Sequence, residues 1–162
     1  MECVVLFDCE QQLLTGRSME DWRRYLVQLE TAGIIFGGIV VRPRSSGSGY
    51  VKTNGWTHDV AELAAIRKQM TAVKIGAKQS ADESIEVQGE QFVVRPTEGP
   101  GGGGIGKKTL VGVCKAARTS VAAAMAVDNS MVVAVGALSA GDMASARCIR
   151  EVEWIADMCG PR

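Results

Sequence analysis

The apolar positions of this chain change their spacing several times, and each change marks an element. Between residues 18 and 32, Trp22, Leu26 and Leu29 recur at i, i+4 and i+7, the period of one helix face. Ser18 ahead of Met19-Glu20-Asp21 supplies a cap and first-turn acids, and Gly33 supplies a stop. Ile34 to Val41 is then apolar and β-branched, interrupted by Gly37-Gly38 and ended by Arg42-Pro43, which predicts a buried strand with a bend. The Ser45 to Gly49 cluster is a turn, Tyr50 to Thr53 a short partner strand, and Asn54-Gly55 a second turn. From Thr57 the helical period returns, with Leu63, Ile66, Met70 and Val73 on one side. Polar Gly76 to Glu83 reads as a loop.

Ser84 to Val87 and Gln91 to Arg95 predict two strands around a two-residue turn at Gly89-Glu90. Pro96 to Lys108 is dominated by proline and glycine and predicts a long exposed loop. Three apolar runs follow, Thr109 to Lys115, Ser120 to Val127 and Met131 to Gly136, separated by short polar breaks. The middle run is rich in alanine, but breaks at such short spacing favour an antiparallel meander over a helix. Ser139-Ala140-Gly141-Asp142 is expected to cap a last helix, whose buried face is Cys148, Val152, Ile155 and Cys159.

One residue breaks that last pattern. Trp154 stands well over 90° around the helix from the Cys148, Val152, Ile155 stripe, on the turn shared with Arg147, Arg150 and Glu151. In the first helix Trp22 is in phase with the leucines and Tyr25 sits at the edge of their face. Terminal helices packed side by side on a sheet would gather these rings into one surface patch, which points to an interaction module.

Composition narrows the rest. In 162 residues, eighteen basic side chains balance eighteen acidic ones, so no overall field draws nucleic acid or an anionic bilayer and any site must be local. A hydrophobic fraction of 46% suits one globular domain over 1–162. No apolar run approaches a membrane span, and Met1 to Leu14 makes a poor secretion signal, so the expected location is cytoplasmic. The five cysteines, at 3, 9, 114, 148 and 159, include no C-x-x-C pair and suggest buried reduced thiols rather than a disulfide framework or zinc site. His58 is the one histidine and reads as a solvated helix terminus beside Asp59. No catalytic residue, cofactor or metal is expected, and no enzyme activity.

Gly101-Gly102-Gly103-Gly104-Ile105-Gly106-Lys107-Lys108-Thr109 invites comparison with G-x-x-x-x-G-K-[ST], where backbone amides cradle phosphates and the hydroxyl after the lysine holds magnesium. Lys108 occupies that hydroxyl position and Thr109 comes one residue late. A glycine-rich hairpin tip is the preferred reading. The nucleotide-binding alternative requires a helix directly after the loop.

The order of elements resembles profilin, the small actin-monomer-binding family, over roughly 19 to 159. Trp22-x-x-Tyr25 resembles the W-x-x-Y of the family's first helix, and Gly37-Gly38-Ile39-Val40 through Gly49-Tyr50-Val51 resembles its first hairpin, with Tyr50 at a tryptophan position. Ile85-x-Val87-x-Gly89-Glu90-Gln91-Phe92-Val93-Val94 is similar to the family's L-x-L-x-G-x-x-Y-x-V. Met131 to Gly136, Ser139 to Asp142 and Cys148 to Asp157 resemble its final strand, turn and helix, with Trp154 in the place of an aromatic or histidine. The resemblance implies an α+β fold: a central antiparallel sheet with the terminal helices on one face and shorter helices on the other. It implies a cytoplasmic, cytoskeletal monomer that binds monomeric actin and regulates filament assembly. Proline-rich segments would lie between the terminal helices, on Trp22, Tyr25, Tyr50 and Trp154. The implied actin contacts are Arg95, Asp142, Ser145 and Arg147, and phosphoinositides would compete at basic patches. Residues 1–18 form an extension, 96–108 an insertion, and Met125-Ala126-Val127 replaces the family's basic residues before the last strand. A profilin fold serving as a trafficking adaptor without actin contact is the remaining alternative.

Overall fold

Three helices and seven strands make up the regular structure of the residues that the computed structural model describes, 18–42, 49–74, 84–95, 108–126, 129–141 and 143–159. In chain order they are α1 (Met19–Thr31), β1 (Gly37–Arg42), β2 (Gly49–Lys52), α2 (Val60–Lys74), β3 (Ser84–Val87), β4 (Glu90–Arg95), β5 (Lys108–Cys114), β6 (Thr119–Met125), β7 (Met131–Ala137) and α3 (Ala146–Cys159). The strands form one sheet in the order β2-β1-β7-β6-β5-β4-β3, antiparallel at every step. The expected meander is therefore β5–β6–β7, and the first hairpin joins it through β1 and β7.

Alternation along each strand sorts the apolar side chains into two cores. Val40, Ala122, Ala124, Val132 and Ala134 point to one face and pack against Trp22, Leu26 and Leu29 of α1 and Cys148, Val152 and Ile155 of α3. Ile39, Val121, Ala123, Met131 and Val133 point to the other and meet Leu63, Ile66 and Met70 of α2, together with Trp56 and Phe92. The terminal helices share a face, as expected. Among the described residues one helix covers the opposite face, and at 15 residues α2 is no shorter than the other two.

Local chemistry explains where elements begin and end. Ser18 and Asp21 close a reciprocal capping box at the start of α1, Asp21 N–H donating to Ser18 Oγ at 3.3 Å and Ser18 N–H to Asp21 Oδ2 at 2.8 Å. At the other end Gly33 (φ +78°) turns the chain so that Gly33 N–H donates to Glu30 O and Ile34 N–H to Leu29 O, a Schellman closure. Those bonds hold Ile34 to the helix, which is why the strand expected from Ile34 begins at Gly37. The β3–β4 turn falls one residue earlier than expected, on Gln88 and Gly89, both left-handed (φ +54° and +83°). Gln88 tolerates that conformation because α2 and the segment leading into it hold it: its N–H and its Nε2 each donate to the Glu62 carboxylate at 3.0 Å, and its Oε1 accepts from Thr57 N–H at 2.7 Å. Burial raises the Glu62 pKa above its ordinary value, and the two bonds from Gln88 offset this only in part.

The last helix starts later than Ser139-Asp142 suggested. Ser139 Oγ donates to Met143 O at 2.8 Å and Ser139 N–H donates to the same carbonyl at 2.8 Å, so this serine closes a small loop through left-handed Gly141. Ser145 is the cap instead: its Oγ accepts from Cys148 N–H at 3.2 Å, and α3 begins at Ala146. The loops expected at 76–83 and 96–108, the turn at 45–49 and the extension 1–18 lie outside the described residues apart from their end residues Ser18, Gly49 and Lys108, of which Gly49 opens β2.

Candidate aromatic cleft between the terminal helices

Helix α1 lies over β1 and β2, and α3 lies over β6 and β7 and reaches β5. Gly38 on β1 and Gly136 on β7 let them approach the sheet closely. A Cβ at Gly38 would sit 3.1 Å from Val133 O and 3.3 Å from Leu26 Cδ2, and one at Gly136 would sit 3.3 Å from Cys148 Cβ. Seated this way, the two helices bring Trp22, Tyr25 and Trp154 together. The Trp154 ring lies 6.0 Å from Trp22, edge to face, and 5.0 Å from Tyr25, tilted by 41°; Trp22 and Tyr25 meet edge to face at 6.4 Å. These are separations and angles that aromatic quadrupoles favour.

The three rings are not equivalent. Trp22 is fully buried and Tyr25 is 5% exposed, whereas Trp154 is half-buried and packs against the core from outside. Trp154 is therefore off the buried stripe, as its helical phase predicts. It floors an open cleft of about 480 Å³ lined by Tyr25, Arg147, Arg150, Glu151, Glu153, Trp154 and Asp157. The Tyr25 hydroxyl donates to Glu151 Oε1 at 2.8 Å, and Arg147 Nε lies 3.8 Å from Glu151 Oε2, so Glu151 joins the two helices across the cleft. Glu153, on the flank of α3 nearest β5, is buried and accepts a 2.7 Å hydrogen bond from the Thr109 hydroxyl. Sequence periodicity had given no role to Glu151 or Glu153; their hydrogen-bond partners, Tyr25 and Thr109, come from other elements.

Tyr50 is not in this cleft. It pairs with Val41, whose side chain packs in the α2 core, while its neighbour Val51 packs in the core of the terminal helices. Strand alternation thus puts Tyr50 on the α2 side of the sheet, and its membership of the expected aromatic set is corrected. There its ring stacks on His58 with centroids 3.8 Å apart and planes 18° apart. His58 is accordingly a stacked residue rather than a merely solvated helix terminus.

The expected actin contacts are distributed unevenly. Arg95 is exposed at the end of β4, opposite Val111, on the same side of the sheet as α3. Arg147 is exposed too, but belongs to the rim of the aromatic cleft. Ser145 is engaged as the cap of α3, and its N–H donates to Ser120 Oγ at 3.1 Å. Asp142 lies outside the described residues.

The nucleotide-binding alternative is contradicted at its required element. The segment after the glycine run is strand β5, and the Thr109 hydroxyl is buried on Glu153. Cys114, Cys148 and Cys159 are buried. Desolvation, reinforced by the Glu151 charge, pushes Cys148 up to about 12. Among the described residues no group of three or more His, Cys, Asp or Glu side chains is placed to hold a metal ion, and no helix is long and apolar enough to cross a membrane.

Solved structures share this overall fold. Profilin II of Acanthamoeba castellanii superimposes with a TM-score of 0.55 at 15% identity, over 85% of this chain and 95% of that one. The fold is that of the profilins. The profilin of a LokiProfilin1 complex with rabbit actin matches at a TM-score of 0.53 and 15% identity, over 87% of this chain and 92% of its own. No family model matches the sequence, and no curated protein does. Likeness at this identity establishes the profilin-like architecture.

Proposed function

We propose that this protein is a non-enzymatic, profilin-like binder of monomeric actin and of proline-rich segments, acting in the cytoplasm on filament assembly. The observation that carries the reading is the Trp154 ring, half-buried against Tyr25 and Trp22 where the two terminal helices meet. A helix that only needed to cover the sheet has no use for a large aromatic more than 90° from its buried stripe. Polyproline II segments are extended before they bind and offer flat apolar rings to such a surface at low entropic cost. Tyr25 and Trp154 would make the contact, and buried Trp22 would support Trp154 from beneath. The actin part of the proposal rests on the fold, on a similar structure that is a complex with rabbit actin, and on exposed Arg95. Phosphoinositide binding is left out of the proposal, since Met125 and Ala126 stand where the resemblance expects basic residues.

Adding a proline-rich peptide should change the tryptophan fluorescence, and Trp154→Ala should abolish the response. No response of the unaltered protein at millimolar peptide would remove the proline-segment reading. The protein should also slow spontaneous nucleation of actin filaments. Arg95→Glu should weaken that effect and leave peptide binding intact, since Arg95 is outside the cleft. If nucleation is untouched at high protein concentration, the actin reading fails and the profilin-fold adaptor takes its place.

A further inference from the structure

Glu151 gives the middle of the cleft a hydrogen-bonding character opposite to the one a run of prolines requires. Proline has no backbone N–H, so an unbroken proline segment presents carbonyl oxygens that accept hydrogen bonds and has nothing to donate. A phenol carries one hydrogen to donate, and that of Tyr25 is committed to Glu151 Oε1 at 2.8 Å. Tyr25 therefore lines the cleft with its donor already engaged. The N–H groups of Arg147, Arg150 and Trp154, which line the same cleft, can serve the carbonyls of any proline-rich segment alike and draw no distinction among them.

The second oxygen of the same carboxylate does distinguish them. The Glu151 side chain keeps only 15% of its surface in solvent, and it lines the cleft. Its Oε2 lies 3.8 Å from Arg147 Nε, close enough for attraction between charges but beyond the length of a hydrogen bond. Among the described residues no group donates a hydrogen bond to Oε2. A carboxylate oxygen that is largely out of water and lacks a donor favours a ligand that brings one. Arg147 and Arg150 on the same helix would repel a cationic donor, whereas a neutral amide meets no such penalty. We propose that Glu151 selects proline-rich segments interrupted by a residue that retains its backbone N–H, which donates to Oε2, over unbroken runs of proline. The proposal rests on the proline-segment reading above and adds to it the residue that decides which segments are taken.

The test uses the full chain and two peptides, Pro-Pro-Pro-Pro-Ala-Pro-Pro-Pro and the same sequence with N-methylalanine in place of alanine, both with acetyl and dimethylamide ends. The pair differs in one N–H and keeps the same side chain. Losing that N–H should weaken binding about fivefold to tenfold in a tryptophan fluorescence titration, the scale of one partly solvated hydrogen bond to a charged acceptor. This comparison needs no variant to fold. In Glu151→Ala the two peptides should bind alike. The methylated peptide should bind this variant more tightly than it binds the unaltered protein, because the Tyr25 hydroxyl is released to proline carbonyls, and adding Tyr25→Phe should remove that gain. Equal affinity of the unaltered protein for the two peptides, or a preference that survives Glu151→Ala, overturns the role of Glu151 and leaves the cleft reading standing. Failure of both peptides to change the fluorescence overturns both.

Discussion

Trp22 and Trp154 touch, with ring centroids 6.0 Å apart, and replacing each by alanine separates what holds the fold from what faces a partner. Trp22 has no exposed surface and sits among Leu26, Val152 and Ile155. Removing it strips roughly 200 Å² of apolar area from the core, about 5 kcal/mol at ~25 cal/mol per Å². That agrees with the ~3 to 5 kcal/mol typical of a buried aromatic cut to alanine. Trp154 keeps part of its ring in solvent, and its removal widens an open cleft instead of creating a closed cavity. About half the area is at stake, so the expected cost is about 2 kcal/mol. The difference, about 2 to 3 kcal/mol, corresponds to a melting temperature roughly 4 to 12 °C lower for Trp22→Ala than for Trp154→Ala in a chain of this size. Urea unfolding followed by far-UV circular dichroism measures both, provided the slope with denaturant stays unchanged. Equal costs, or a Trp154→Ala protein that does not fold, would refute the division into core and surface rings and remove the basis for the cleft.

Three further outcomes are expected. Glu62 has its pKa raised by burial, so its protonated form is favoured in the folded state; its contribution is present in acid and declines as pH rises through the window from the unfolded value of 4.5 to the raised one. Glu62→Gln should therefore gain stability relative to the unaltered protein between pH 4 and pH 7, and a difference that stays constant across that range would contradict the assignment. Cys148, with its pKa near 12 and its side chain buried, should resist iodoacetamide in the native protein and label only as urea unfolds it, read by peptide mass spectrometry. Gly38→Ala should cost about 1 to 3 kcal/mol by overpacking, because its Cβ meets a fixed carbonyl at 3.1 Å and Leu26 at 3.3 Å; a neutral result in the same urea assay would show that α1 can shift away from the sheet.

The elements that could be read in the sequence were those whose signal is local. Trp22, Leu26 and Leu29 mark α1, and Cys148, Val152, Ile155 and Cys159 mark α3, because a helix repeats its buried face within a few residues. Trp154 was legible for the same reason, as a departure from that repeat. Tyr50 was not, because the face of a strand residue depends on register, and an offset of one position moves it across the sheet. Its stack on His58 depends on how the chain folds back after Asn54-Gly55, which no period encodes. The β3–β4 turn was misplaced because glycine marks one left-handed position, whereas the other fell to Gln88, held by partners on α2. Ser139 and Ser145 are both plausible caps in sequence; only the hydrogen bonds that each makes distinguish them.

The pairing of β1 with β7 has a consequence for how the cleft comes into being. Val41 lies opposite Met131 and Gly37 opposite Val135, so about ninety residues separate the two sides of that ladder. The β5–β6–β7 meander needs only short closures, whereas docking the first hairpin means closing a far longer loop, and non-local pairing of that kind slows folding. Tyr25 arrives with the first unit and Trp154 with the last. The cleft therefore forms only once α1 and α3 are both docked on the sheet, and engagement of a partner there reports that this long-range assembly has taken place.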